Sequence, residues 1–127
     1  MNSKKYSTDF LQQCRSAMAA EQADSLAKTN NWSHVNKDQV HADWDALYQK
    51  LAPLVEHHSS DSPEIQSLIG EHFSIISRFY KPSKMGYIGT SLHYAENESM
   101  KNFHNSYHPK LVQFLAEAIP VYAEKHL

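Results

Sequence analysis

The feature that most constrains this chain is the spacing of its large apolar residues, which recur every three or four positions along most of its 127 residues. That period belongs to amphipathic helices, whereas half-buried strands alternate by two. The clearest case opens at Asn36, a good N-cap, with Gln39 three positions on in the order of a capping box. Behind it Val40, Trp44, Leu47, Tyr48, Leu51 and Val55 form one stripe. Pro53 lies inside the stripe and predicts a kink or an early end. A second start is sharper. Ser62-Pro63-Glu64 sets a capping hydroxyl before a proline at the first helical position, with an acid in the first turn. The stripe that follows (Ile65, Leu68, Ile69, Phe73, Ile76, Phe79, Tyr80) ends at Lys81-Pro82-Ser83.

From Lys84 to about Ala95, Met85, Ile88 and Leu92 share a face, with Gly86 and Gly89 beside it. Each glycine costs a helix about 1 kcal/mol relative to alanine, so the pair implies either close approach of another surface or a weak helix. A short helix is expected from about Asn97, with Met100, Phe103 and Tyr107 in step. Pro109 is expected to open the last one, whose stripe is Leu111, Phe114, Leu115, Ala118, Ile119 and Tyr122, with Pro120 bending it near its end. Before Asn36, Phe10, Leu11, Cys14, Ala17 and Met18 have helical spacing behind a cap at Ser7 or Thr8, but the stripe fades beyond Ala19. The reading is an all-α domain of about five to six helices. Residues 1–35 form an N-terminal helical arm, conditionally ordered, and residues 36–127 form the body.

Composition narrows the function classes. Three glycines are too few for a turn-rich β architecture. With 12 basic and 14 acidic residues, a net charge of −2 and no basic block, the electrostatic footprint of a nucleic-acid binder is missing. No apolar run approaches the roughly 20 residues of a membrane span, and the polar start Met-Asn-Ser-Lys-Lys lacks a signal core, so a cytoplasmic address is expected. Cys14, the single cysteine, has no internal disulfide partner and reads as a packing residue.

Catalytic patterns are missing as well. Nine histidines invite a search for metal spacing, yet there is no His-Glu-x-x-His and no second thiol. His57-His58 and the His104, His108 pair read as surface histidines, the latter because His108 precedes Pro109 and is pushed off the helix. There is no nucleophile elbow and no phosphate-binding glycine loop. Asp43 and Asp45, on either side of Trp44, read as a solvated face. Neither an enzyme nor a bound cofactor or metal is expected. His72 differs, because it falls inside an apolar stripe. It reads as a satisfied core histidine, as a polar contact in a ligand cleft, or as an axial ligand to haem.

What remains is a high load of aromatic and methionine side chains, most of which must be core. Helices that cross at large angles around such residues can still leave an apolar cleft, and methionine adapts to irregular guests. The cleft is expected between the aromatic helix and the Lys84–Ala95 segment. Its candidate lining is Trp44, Tyr48, Phe73, Met85, Ile88, Leu92, Phe103 and Tyr107, with His72 as the polar contact.

Three stretches together resemble the TipAS antibiotic-recognition domains. They are Asp61-Ser62-Pro63-Glu64-Ile65-Gln66, then Tyr94-Ala95-Glu96-Asn97-Glu98-Ser99-Met100 with Phe103, then Tyr107-His108-Pro109-Lys110-Leu111 running on to Ile119 with Tyr122. Their order and spacing span roughly the last 90 residues. The resemblance implies a globin-like helical fold whose cleft takes thiopeptides or other large, apolar, peptide-like antibiotics, for sequestration or sensing, with a link to antibiotic resistance or transcriptional regulation. Some members attach the ligand through a cysteine near the position of Gly89. With no cysteine after Cys14, the resemblance implies reversible binding with Gly89 at the cleft. The best-known members carry a MerR-type DNA-binding region, which this sequence lacks, so direct promoter control is not expected. Asn97 and Met100 stand where the family usually has an acid and a phenylalanine, Lys110 where it has glycine, and Pro120 departs from its pattern. Two other readings stay open: a globin-like haem sensor through His72, and a groove that accepts a partner helix.

Overall fold

A computed structural model describes residues 6–127; the polar start of the chain, residues 1–5, lies outside the described residues. Among the described residues there are six α-helices and no strand, the helical fold expected of a globin-like domain. They are α1 Thr8–Lys28, α2 Lys37–Leu51, α3 Pro63–Ile76, α4 Lys84–Glu96, α5 Glu98–Asn105 and α6 Leu111–His126.

Local chemistry sets most of the boundaries. Ser7, Asn36, Ser62, Ser83 and Asn97 each accept a backbone N–H three residues on, at the starts of α1 to α5. The capping box at Asn36 is only half made, because the Gln39 amide turns to Asp43 instead. Pro53 ends α2 early, in a 3₁₀ turn over Ala52–Leu54. The last helix starts two residues later than Pro109 suggests. Val112 N–H is capped from outside α6 by Asn105 Oδ1 at 3.0 Å, which fixes the first turn beyond the proline.

The arm is a long helix laid along α4, and it explains its own faded stripe. A Cβ on Gly89 would collide with the Cys14 carbonyl, and one on Gly86 with the Glu21 carboxylate. The α1–α4 seam is thus a backbone-to-glycine contact and needs few large side chains on α1. Polar ties close both ends. Arg15 grips Glu96 at 2.6 Å, while Glu21 accepts the Ser83 amide and hydroxyl at the start of α4. Between α1 and α2 the chain reverses through Asn30, Asn31 and Trp32, with φ of 51°, 59° and 62°. Asparagine tolerates this region, tryptophan rarely does. Trp32 is held there by its indole N–H on Ser25 Oγ at 2.8 Å and by edge contact with Phe79.

The core lies between α3, α4 and α6. Ile65, Ile69, Leu111, Leu115 and Ile119 are fully buried there, and Phe73, Tyr87 and Tyr122 fill the centre with ring contacts. No described helix is long and apolar enough to cross a membrane.

Candidate functional site

Two regions bear on where a guest could sit, and they differ completely. The first is where the sequence places the cleft, among the aromatic side chains of α2, α3 and α4. It is closed. His72 is 1% exposed and bonded at both ring nitrogens, Nδ1 to Tyr87 OH at 2.8 Å and Nε2 to Tyr94 OH at 3.2 Å. Tyr48 OH meets His104 Nε2 at 2.8 Å, and His104 Nδ1 meets the Met100 carbonyl at 2.7 Å. A carbonyl only accepts, so His104 donates from Nδ1 and its Nε2 receives the Tyr48 proton. Tyr87 donates to the Ile69 carbonyl, which makes His72 Nδ1–H the donor to Tyr87 and Nε2 the acceptor from Tyr94. Every proton in the cluster is used once. Burial, with His104 nearby, pushes the His72 pKa down to about 3, so the ring is neutral, and it lowers His104 as well. The same burial drives the Tyr48 and Tyr87 phenols well above their ordinary range.

Of the three readings of His72, the satisfied core residue is the one the geometry supports. Haem ligation needs a ring nitrogen with open space before it, and both nitrogens face phenols. His104 corrects the surface reading of its pair, being 2% exposed. His108 does lie nearer the surface, bonded to Glu56 at 2.6 Å. Among the described residues no group of three His, Cys, Asp or Glu side chains converges as a metal site would require.

The second region is an open recess of about 830 Å³, within the size range of small-molecule sites. Its floor is α4 at Ile88, Ser91 and Leu92. One wall is α6, from Phe114 through Ala116, Glu117, Pro120, Val121 and Glu124 to Lys125. The opposite rim is the start of α1 at Tyr6 and Leu11, and the end is closed by Val55 and the loop His58–Asp61. Tyr6 spans the rim, its hydroxyl donating to Glu124 at 3.1 Å while its ring stacks on Phe10. Partial burial and that carboxylate raise the Tyr6 pKa to about 12. Lys84 holds the other oxygen of Glu124 at 3.3 Å.

Of the ten candidate residues the structure brings two, Ile88 and Leu92, to this recess. Tyr48, His72 and Phe73 belong to the closed core, as do the partly buried Trp44, Met85 and Tyr107. Trp44 stacks on Phe79, and Tyr107 bonds Asp45 at 2.6 Å. Phe103 is 49% exposed on the outer face of α5. Gly89 does face a partner, but that partner is Cys14 of α1 and leaves no room for a guest. The recess lies against α6 and α1 because the rings between α3 and α4 have filled the space there. Leu11, Val55 and Phe114, members of helical stripes in the sequence, also line it. Pro120, expected only to bend the last helix, lies in this wall.

The chain matches the family model described as the TipAS antibiotic-recognition domain over residues 5–122 of its 127. No curated protein and no solved structure matches it. The match takes in α1 to α5 and α6 as far as Tyr122, so it covers most of the recess lining and leaves Glu124 and Lys125 beyond its end. The chain belongs to the TipAS antibiotic-recognition domain family.

Proposed function

We propose that this domain binds a large, mostly apolar, peptide-like small molecule non-covalently in the recess between α1, α4 and α6, with thiopeptide antibiotics as the leading class. It acts by binding, for sequestration or sensing, without catalysing a reaction. The observation that carries the proposal is the 830 Å³ recess, most of whose lining falls within the span of an antibiotic-recognition family match. Aliphatic side chains on α4 and α6 supply the driving force, at about 25 cal/mol per Å² of apolar area removed from water, less the cost of immobilising the guest. Hydroxyls at Ser59 and Ser60 supply polar contacts for a ligand with a peptide backbone. Reversibility follows from Cys14, which is fully buried beneath α4, with a raised thiol pKa, and does not line the recess.

The test is calorimetric titration with a thiopeptide such as thiostrepton, combined with methyl NMR at Leu11, Ile88, Leu92 and Val121. Trp32 and Trp44 lie outside the recess lining, so tryptophan fluorescence is the weaker probe. Saturable heat with shifts confined to the recess methyls is expected. Flat heats across a panel of peptide-like antibiotics would falsify the proposal.

A further inference from the structure

Pro120 sits inside α6, and the helix continues past it to His126. Proline has no amide N–H, so the carbonyl four residues earlier, on Ala116, lacks the donor that a helix interior otherwise supplies. Ala116 and Pro120 are one turn apart, share a face, and both line the recess. On the other side of the same turn, the Ala118 carbonyl receives Gln66 Nε2 from α3 at 3.1 Å. This turn is therefore braced from α3, and because Ala116 and Pro120 both line the recess, the carbonyl released by the proline is placed on its wall. The same wall carries apolar Phe114 and Val121 together with charged Glu117, Glu124 and Lys125, and Leu92 stands across on α4. An acceptor that has lost its helical donor gains from an N–H that arrives with a guest.

We infer that the Ala116 carbonyl, released by Pro120, is the recess's hydrogen-bond acceptor for an amide N–H of the ligand. The inference rests on the recess being the binding site, as proposed above, and adds what the guest must carry. A guest needs an amide donor beside an apolar body, and an equally apolar guest without the donor is discriminated against. The specificity is written in a backbone atom and is set by the residue at position 120.

Two fragments separate this inference from the binding proposal itself. Acetanilide offers one ring and one N–H; N-methylacetanilide offers the same ring without the donor. Both should shift the Leu92 and Val121 methyls of the native domain. Acetanilide alone should move the Ala116 carbonyl-carbon resonance, and it should bind about five- to tenfold more tightly, the worth of one hydrogen bond. In Pro120→Ala the backbone N–H returns and satisfies the carbonyl. The preference for acetanilide should disappear while the thermal midpoint stays level or rises, which excludes misfolding as the cause. Equal binding of the two fragments, an unmoved Ala116 resonance, or a preference retained in Pro120→Ala overturns the inference and leaves the recess intact. If neither fragment nor thiostrepton shifts any recess methyl, the binding site is refuted and the inference goes with it.

Discussion

Two sides of α4 show how one helix can serve a sealed interior and an open recess. On one side Tyr87 and Tyr94 enter a cluster of rings in which each phenol and imidazole proton has a partner. On the other, half-buried Leu92 faces the open space of the recess, with buried Ile88 and Ser91 beneath it. The difference is one of side-chain size and reach. Phenol rings from α2 and α4 are long enough to reach His72 of α3 and His104 of α5, and once they meet they leave no room. At the recess the facing residues are aliphatic, small or polar, and the ends of α1 and α6 are bridged at the rim by Tyr6 and Glu124. The lesson is that a wealth of aromatic residues marks where a small helical domain is closed more reliably than where it is open.

The glycine seam gives the strongest test of the division, since it holds the recess rim to its floor. Gly89→Val is expected to cost about 4 kcal/mol, above the usual range for overpacking because the obstacle is the Cys14 backbone. Gly86→Ala meets only the flexible end of Glu21 and should cost far less, offset in part by alanine's helix propensity. Urea denaturation of both variants checks this. Equal midpoints for the two would show that the seam is not a backbone contact.

Next in size is the response to acid, which should come from the sealed side. His72 ionises near its ordinary 6.5 when unfolded and only at about 3 when folded. The sign follows from the unfolded chain taking up the proton first. Stability is complete above about pH 6.5 and falls as pH drops from there towards 3, reaching about 3 kcal/mol of loss by pH 4. His104 acts in the same direction. Replacing His72 with Phe should flatten this slope. It should also cost about 2 kcal/mol at neutral pH, because Tyr87 and Tyr94 lose their shared partner. An unchanged acid slope in that variant would place the sensitivity elsewhere.

Most of the architecture was legible because it is local. Asn36, Ser62 and Asn97 cap helices by reaching three residues along the chain, a distance a sequence displays directly. The long-range terms were not legible. His104 looked like a surface residue because its burial is set by Tyr48, 56 positions away. The start of α6 was misplaced because Asn105 caps it from outside the helix. The cost of Gly86 and Gly89 did signal a close neighbour, without saying that the neighbour was α1. The recess stayed hidden for the same reason, since its rim joins Tyr6 to Glu124 across 118 positions. Periodicity reports which face of a helix turns inward, and it is silent on whether the inward faces meet.

The smallest expected effect on stability, and the sharpest test of the contrast, belongs to Leu92→Lys. Leu92 is half-buried on the recess side of α4, and its contacts are with space as much as with protein. A lysine there can keep its stem on the apolar floor and extend its ammonium toward solvent, so the fold should lose no more than about 1 kcal/mol. A guest settling over the same floor must bury that charge or displace it. Its affinity should therefore fall at least tenfold, corresponding to about 1.4 kcal/mol or more. His72→Phe should show the opposite pattern, with weakened stability and unchanged affinity at temperatures where the variant is folded. Measuring both variants by denaturation and by thiostrepton calorimetry places them on separate axes. If Leu92→Lys weakened the fold and left binding alone, the recess-facing side of α4 would have to be counted with the core.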